Sequence, residues 1–98
     1  MLVKIHKTYR DVVAICDEEL LGKRFEEGEK ILEISKYFFG GEKIDEENLV
    51  KLIKEMERED ATFNIVGEKA VSIALKTGII NEKGIKKVKG VPFALVLL

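Results

Sequence analysis

The stretch VVAIC at residues 12–16 is continuously apolar and mostly β-branched. Such a run fits a strand that is covered on both faces, so we predict that it is a central strand of a sheet. The preceding residues 2–7 alternate apolar and polar side chains, which is the pattern of a half-buried strand. Since residues 8–11 between them are polar, the two segments predict a β-hairpin.

Two helices follow from apolar spacing further along the chain. Residues 46–58 place four apolar side chains on one helical stripe: Leu49, Leu52, Ile53 and Met56. Asp45 precedes this stripe and can cap the helix through its carboxylate. A second helix is predicted from about Gly67 to Thr77, and Gly78 ends it.

Short strands and turns fill the remainder of the chain. Residues 17–23 predict a single helical turn, and four further short strands are predicted at residues 30–35, 62–66, 85–89 and 91–97. Pro92 has no amide hydrogen, so that end of the last strand is expected at an edge or a bulge. Because strands and helices do not alternate regularly, the sequence predicts an α+β fold: a small single domain over residues 1–98, with a largely antiparallel sheet and two helices.

Composition favours one folded domain of intracellular type. The 98 residues are 46% hydrophobic and 36% charged, yet the net charge is only -1, unlike that of most disordered chains. Gln and Trp are absent while Lys and Glu are abundant, a bias typical of thermophiles. No signal-peptide core and no run of 18 apolar residues is present, so we expect a cytoplasmic protein without a membrane partner.

The residues that most often perform catalysis are scarce. The single cysteine and single histidine exclude a disulfide and a closed zinc site, and we expect no metal and no cofactor. His6 is the one ready general base, but it lies on the polar face of a strand, where we expect contact with solvent or with the hairpin partner. Cys16 follows an apolar run and precedes three acids, which favours a buried, unreactive thiol.

Two short motifs suggest ligands. The acids at residues 17–19 could hold Mg²⁺ or Ca²⁺, although consecutive residues rarely converge on one ion and a solvated acidic turn is the simpler interpretation. Gly67 stands where a strand enters a helix, and free amide hydrogens at a helix start attract anions, with Lys69 able to assist. The alternative is that Gly67 only permits a tight turn.

A basic run near the end of the chain has two interpretations. Its members are Lys83, Lys86, Lys87 and Lys89. Lysines on an exposed strand prevent edge-to-edge aggregation, and they also form nucleic-acid-binding patches. If the first and last strands were neighbours, Lys4 and Lys7 would join the patch. Lys86, Lys87 and Lys89 are the residues we expect to meet nucleic acid.

Four blocks in this order resemble an uncharacterised archaeal family, catalogued as domain of unknown function 424. The blocks are residues 16–23 (CDEELLGK), 39–41 (FGG), 64–71 (NIVGEKAV) and 90–92 (GVP), and they span nearly the whole chain. The resemblance implies an archaeal origin and a compact α+β domain, with no established reaction. Members of the family often carry His, Ala and Gln after the Val-Pro pair, where this chain has Phe93-Ala94-Leu95, so an activity that used that His would be lost here.

We therefore expect a non-enzymatic binding or adaptor domain whose partner is RNA or a ribosomal or other translation component. The alternative is a small-ligand-binding protein or small enzyme with a site near Asp17, Gly41, Asn64 and Gly67. The full set of candidate ligand-binding residues is Asp17, Glu18, Lys23, Gly41, Asn64, Gly67, Glu68 and Lys69. If Gly22, Gly41, Asn64 and Gly67 line one concave site, the alternative gains; if the lysines lie away from any cleft, RNA gains.

Overall fold

The computed structural model describes residues 1–97, which form eight β-strands and three α-helices. The strands are β1 (Leu2–His6), β2 (Val12–Cys16), β3 (Arg24–Glu27), β4 (Lys30–Glu33), β5 (Glu42–Lys43), β6 (Thr62–Val66), β7 (Lys86–Val88) and β8 (Val91–Val96). The helices are α1 (Lys36–Phe39), α2 (Glu46–Arg58) and α3 (Glu68–Thr77). Short 3₁₀ turns follow at Glu18–Leu20 and Glu82–Gly84.

Six strands form one sheet in the order β5-β1-β2-β6-β8-β7. All neighbours are antiparallel except β2 and β6, which run parallel. The predicted α+β class, the largely antiparallel sheet and the β1–β2 hairpin are thus confirmed. The connection from β2 to β6 includes α1 and α2. Because β2 and β6 are parallel neighbours, their carboxyl ends lie side by side at the same end of the sheet.

Both faces of β2 are covered, which explains its continuously apolar sequence. Val13 and Ile15 lie under α2 and α3, in the larger core cluster. Ala14 and Cys16 point to the opposite face, where the β3–β4 hairpin and α1 cover them. Successive residues of β2 contribute to the two cores in turn, because neighbouring side chains of a strand point to opposite faces.

The two predicted helices form with the predicted ends. The Asp45 carboxylate accepts the amide hydrogen of Asn48 at 2.8 Å, which caps α2. Gly78 follows α3 with φ 82°, a left-handed conformation that glycine adopts without strain. The apolar stripe of α2 packs on the sheet, since Leu49, Ile53 and Met56 are buried.

Three elements were not predicted. Strand β3 is almost entirely charged, and only Phe25 of its four residues is partly buried. Strand β5 has two residues, and α1 is a single turn that begins where the Ser35 hydroxyl accepts the amide hydrogen of Phe38. Such elements carry too few residues for a repeating pattern, because pattern recognition needs several periods.

Strand β8 as a whole is an interior strand between β6 and β7, but its pairing with β6 ends at Phe93, so at Pro92 it pairs with β7 alone, which agrees with the predicted edge at this end of the strand. The Pro92 carbonyl accepts the amide hydrogen of Gly67 at 2.9 Å. The return bond that Pro92 cannot donate is not needed, since the Gly67 carbonyl accepts the amide hydrogen of Val71 in the first turn of α3. Strand β6 thus gives way to a helix at the point where β8 lacks a donor.

No helix within residues 1–97 has the length and apolar character needed to cross a membrane.

Candidate functional site

Asp17 lies where the parallel strands β2 and β6 end together. Its side chain is only 3% exposed, and both carboxylate oxygens accept backbone amide hydrogens, from Lys69 at 3.0 Å and from Ala70 at 2.9 Å. These amides belong to the first turn of α3, whose own N-cap residue, Gly67, has no side chain. Asp17 therefore caps a helix that starts 51 residues further along the chain.

Gly67 is shaped by this contact. Its φ is 109°, which an L side chain rarely adopts, and a Cβ there would overlap the Asp17 carboxyl group. A glycine is thus required both by the backbone conformation and by the close approach of Asp17. The tight-turn interpretation accounts for Gly67 fully.

The anion site that the sequence suggested at the start of α3 is filled by the Asp17 carboxylate of the chain itself. The amide hydrogens of Lys69 and Ala70, which the sequence offered to an anionic ligand, are donated to Asp17 instead. Asp17 is also not part of a solvated acidic turn, because it is buried while Glu18 and Glu19 are exposed. The buried carboxylate supplies the negative charge that the α3 dipole favours.

A shallow cavity of about 210 Å³ opens beside Asp17. It is lined by Asp17, Glu19, Leu20, Glu68, Gly90, Val91 and Pro92. Three of the four sequence blocks noted above meet here, in an acidic setting. Within residues 1–97, however, no three His, Cys, Asp or Glu side chains are grouped as metal ligands.

The other candidate ligand-binding residues do not share this cavity. Gly41 packs against the backbone of Val3 near a different depression, and Asn64 lies on the hairpin side of the sheet. Glu18 forms an exposed ion pair with Lys43 at 3.3 Å, and Lys23 is exposed at the base of the β3–β4 hairpin. Gly22 lies against the Lys36 side chain and lines none of these cavities. Gly22, Gly41, Asn64 and Gly67 are therefore dispersed, although their convergence would have favoured a single ligand site.

Asn64 lines a separate groove between the sheet and the elements that cover it. This groove, called the Asn64 groove below, has a volume of about 330 Å³. Its lining includes Ile31 and Glu33 of β4, Phe38 of α1, and Phe93 and Leu95 of β8. Leu95 is 53% exposed although it lies in an interior strand, so this part of the sheet face is open.

His6 and Cys16 both serve the structure. His6 stacks on Phe38 with ring centroids 4.7 Å apart, and its Nε2 is 2.8 Å from the Phe38 carbonyl oxygen. His6 is therefore half-buried against α1 rather than facing solvent. Cys16 is fully buried, as predicted, and burial, aided by the charge of Asp17, raises the pKa of its thiol to about 11.

The basic run lies at the free edge of the sheet. Lys86 and Lys87 belong to the edge strand β7, and Lys89 is in the turn to β8 with φ 52°. All three side chains are exposed, and within residues 1–97 none of them forms an ion pair. None lines any of the cavities described above. Lys4 and Lys7 do not join them, because β1 is separated from β8 by β2 and β6.

Residues 5–98 match the family described as protein of unknown function (DUF424). The chain belongs to this family. It is also similar to a solved structure, an uncharacterized conserved protein from Methanopyrus kandleri, with 32% identity and a TM-score of 0.86 over 97% of this chain and 88% of that one. That organism supports the archaeal origin which the resemblance implied. No protein with a curated description matches the chain.

Membership of the DUF424 family assigns no reaction. Sequence reasoning had named Asn64 but missed the groove partners Phe38, Phe93 and Leu95. Alternation along β8 was a usable signal for two of them, since Phe93 and Leu95 fall on the same face of the strand. Phe38 had no such signal, because a single-turn helix shows no period.

Proposed function

We propose that this DUF424 protein is a non-enzymatic RNA-binding domain whose phosphate contacts come from the β7 edge. The observation that carries the proposal is the set of exposed lysines at this edge, Lys86, Lys87 and Lys89, whose ammonium groups form no ion pair within residues 1–97. The Glu27 carboxylate does lie beside them, where it accepts the backbone amide hydrogen of Lys89 at 3.1 Å. Ammonium groups that face solvent without a protein partner can neutralise phosphates at little desolvation cost. The RNA partner that we propose belongs to the translation machinery.

The chemistry of the remaining candidates supports binding rather than catalysis. His6, Cys16 and Asp17 are the side chains best suited to acid–base or nucleophilic work. Each is held in a structural contact: His6 with Phe38, Cys16 in the core, and Asp17 with the start of α3. A catalytic group needs reach to a substrate and a placed partner. Asp17 borders a cavity, but both of its carboxylate oxygens already accept amide hydrogens from α3.

The distribution of charge supports the same edge. Residues 17–60 carry fifteen acidic and eight basic side chains, whereas residues 76–98 carry one acidic and five basic ones. A polyanion approaching the molecule is therefore attracted to the β7 end and repelled from the acidic α2 surface. This asymmetry exists although the whole chain has a net charge of only -1.

The test is RNA binding across a salt series, measured by fluorescence anisotropy with ribosomal RNA fragments. We expect K87E/K89E to weaken binding and to lower the slope of log affinity against log salt by about 1.4, which corresponds to two lost phosphate contacts. The variant K51E/K54E is the control, since it makes the same charge change on the exposed surface of α2. Equal affinities for the wild type and K87E/K89E would remove this proposal.

We further propose that the protein works in the cytoplasm of a thermophile. The Lys- and Glu-rich composition supports this setting. Thermal unfolding followed by circular dichroism should then give a Tm above the roughly 45–65 °C that is usual for mesophilic domains. A midpoint inside that range would contradict the thermophilic part of the proposal.

A further inference from the structure

We infer that the Asn64 groove binds one unpaired base of the RNA whose phosphates contact the β7 edge. This inference rests on the proposed function, because it assigns the base-contacting part of the same interface. The groove combines three features that base recognition uses: a hydrogen-bonding amide, aromatic and aliphatic side chains, and a neighbouring cation. Glu33 and Ser35 are the other polar residues of its lining.

Asn64 provides the amide. It lies in the interior strand β6, where alternation directs its side chain to the hairpin face, together with Val66 and away from Phe63 and Ile65. Its side chain forms no hydrogen bond with any residue of the described chain, and it is only half-buried. An amide in the middle of a sheet face thus keeps a donor and an acceptor for a ligand, and these two groups match the edge of a base.

Apolar side chains lie beside this amide on the sheet and on α1. In the sheet register Asn64 is opposite Leu95, and the next residue on the same face of β8 is Phe93, opposite Val66. The ring of Phe38 closes the groove on the α1 side. Aromatic and branched side chains of this kind are the surfaces on which unpaired bases stack.

The size of the groove fits one base. Its volume of about 330 Å³ is at the lower end of the roughly 300–1,000 Å³ that small-molecule pockets occupy. It is open along the sheet rather than enclosed, so a base can enter from the side while its sugar and phosphate stay outside. A base paired within a duplex presents no free face to such a groove, and we therefore expect a preference for single strands.

Lys86 links the groove to the phosphate contacts. It pairs with Phe93 in the β7–β8 register, and strand alternation places it on the same face of β7 as the buried Val88. Neighbouring strands are about 4.8 Å apart, so the Lys86 stem begins one strand away from the groove lining. One strand of RNA can therefore meet the groove with a base and the β7 edge with its backbone.

The experiment compares a labelled single-stranded RNA with the same strand in a duplex, by anisotropy at several salt concentrations. N64D is the main variant, because it preserves side-chain size while replacing amide donors with a negative charge. We expect it to weaken single-strand binding by roughly fivefold to 100-fold without altering the salt slope, and to change duplex binding less than about twofold. S72D is its control, since it adds the same charge to the exposed surface of α3 on the other side of the sheet.

L95A is the second variant, because Leu95 is exposed enough for truncation without loss of the fold. It should weaken single-strand binding in the same direction as N64D. If the wild type binds RNA and both variants bind single strands as well as S72D does, the groove inference is overturned while the proposed function survives. If the wild type binds no RNA, both fail. If light scattering instead shows a dimer that N64D and L95A dissociate, the groove holds a second copy of the chain and the inference is wrong.

Discussion

At the scale of single residues, the contact between Asp17 and Gly67 joins two strand ends and a helix. Asp17 replaces the N-cap side chain that Gly67 cannot provide, and Gly67 leaves the space that the carboxylate needs. Gly67 is favoured by its positive φ as well, but the space that its missing side chain leaves is filled by Asp17. Substitutions at the two positions should therefore be coupled in their effect on the free energy of unfolding. Both residues lie in sequence blocks that carry the family resemblance, and their contact here stabilises the fold.

We predict that D17A lowers the free energy of unfolding by about 2–3 kcal/mol, because α3 loses two charge-assisted hydrogen bonds at its start. G67A should lower it by more than about 1 kcal/mol, through its positive φ and the overlap with Asp17. The double variant should lose less than the sum, since removing the carboxylate also removes the overlap. Urea unfolding of the four proteins measures the coupling.

The control for this cycle is G78A. Gly78 also has a positive φ, but a Cβ there would meet no atom within 4 Å. It therefore isolates the backbone strain from the overlap. Its effect should add to that of D17A, and additivity between G67A and D17A as well would show that the two residues are not coupled.

Cys16 is a second residue whose behaviour follows from its surroundings. Its pKa is raised from 9.0 to about 11 by burial and by the charge of Asp17. The unfolded thiol ionises near pH 9, while the folded thiol keeps its proton to about pH 11, so the folded state holds more protons within this window. The contribution to stability is present below pH 9 and is lost as the pH rises towards 11.

We expect the free energy of unfolding of the wild type to fall between pH 9 and 11 by about 2–3 kcal/mol more than that of C16A, which has no thiol to ionise. Urea unfolding at a series of pH values checks this difference. Any other group that ionises in this window does so in both proteins, so it does not contribute to the difference. Parallel curves for the two proteins would mean that the buried thiol is not shifted.

At the scale of elements, length decided what the sequence could predict. Helix α2 has thirteen residues and α3 has ten, so each repeats its apolar period several times and brings its own end signals. Strand β3 and helix α1 have four residues each. They form because tertiary neighbours cover Phe25 and Phe39, which no local pattern reports.

The turn between β7 and β8 changes how the lysines of the basic run are arranged. The regular strand ends at Val88, and Lys89 and Gly90 form the turn with φ 52° and 77°. Regular alternation over residues 85–89 would place Lys87 and Lys89 on one face and Lys86 with Val88 on the other. Lys86 does share the face of the buried Val88, but Lys89 lies in the turn and leaves the strand pattern. The basic residues therefore follow the edge of the sheet rather than one of its faces.

At the scale of the whole molecule, the two faces of the six-stranded sheet are covered to different extents. The face under α2 and α3 is closed by the larger core cluster. The opposite face is only partly covered, since the β3–β4 hairpin and α1 are short and leave Asn64 and Leu95 accessible. The proposed RNA contacts use this open part and the adjacent β7 edge, where the chain is most basic.

The sequence by itself determined the α+β class, the central strand, the β1–β2 hairpin, both long helices and the burial of Cys16. These features depend on local periodicity and on end signals, which are carried by neighbouring residues. Only the tertiary structure decided that Asp17 caps α3, that Pro92 sits in an interior strand and that Asn64 faces a groove with Phe93 and Leu95. Each of these depends on the parallel pairing of β2 with β6 and on the insertion of β8 beside β6, and strand order is set by contacts between residues far apart in the chain.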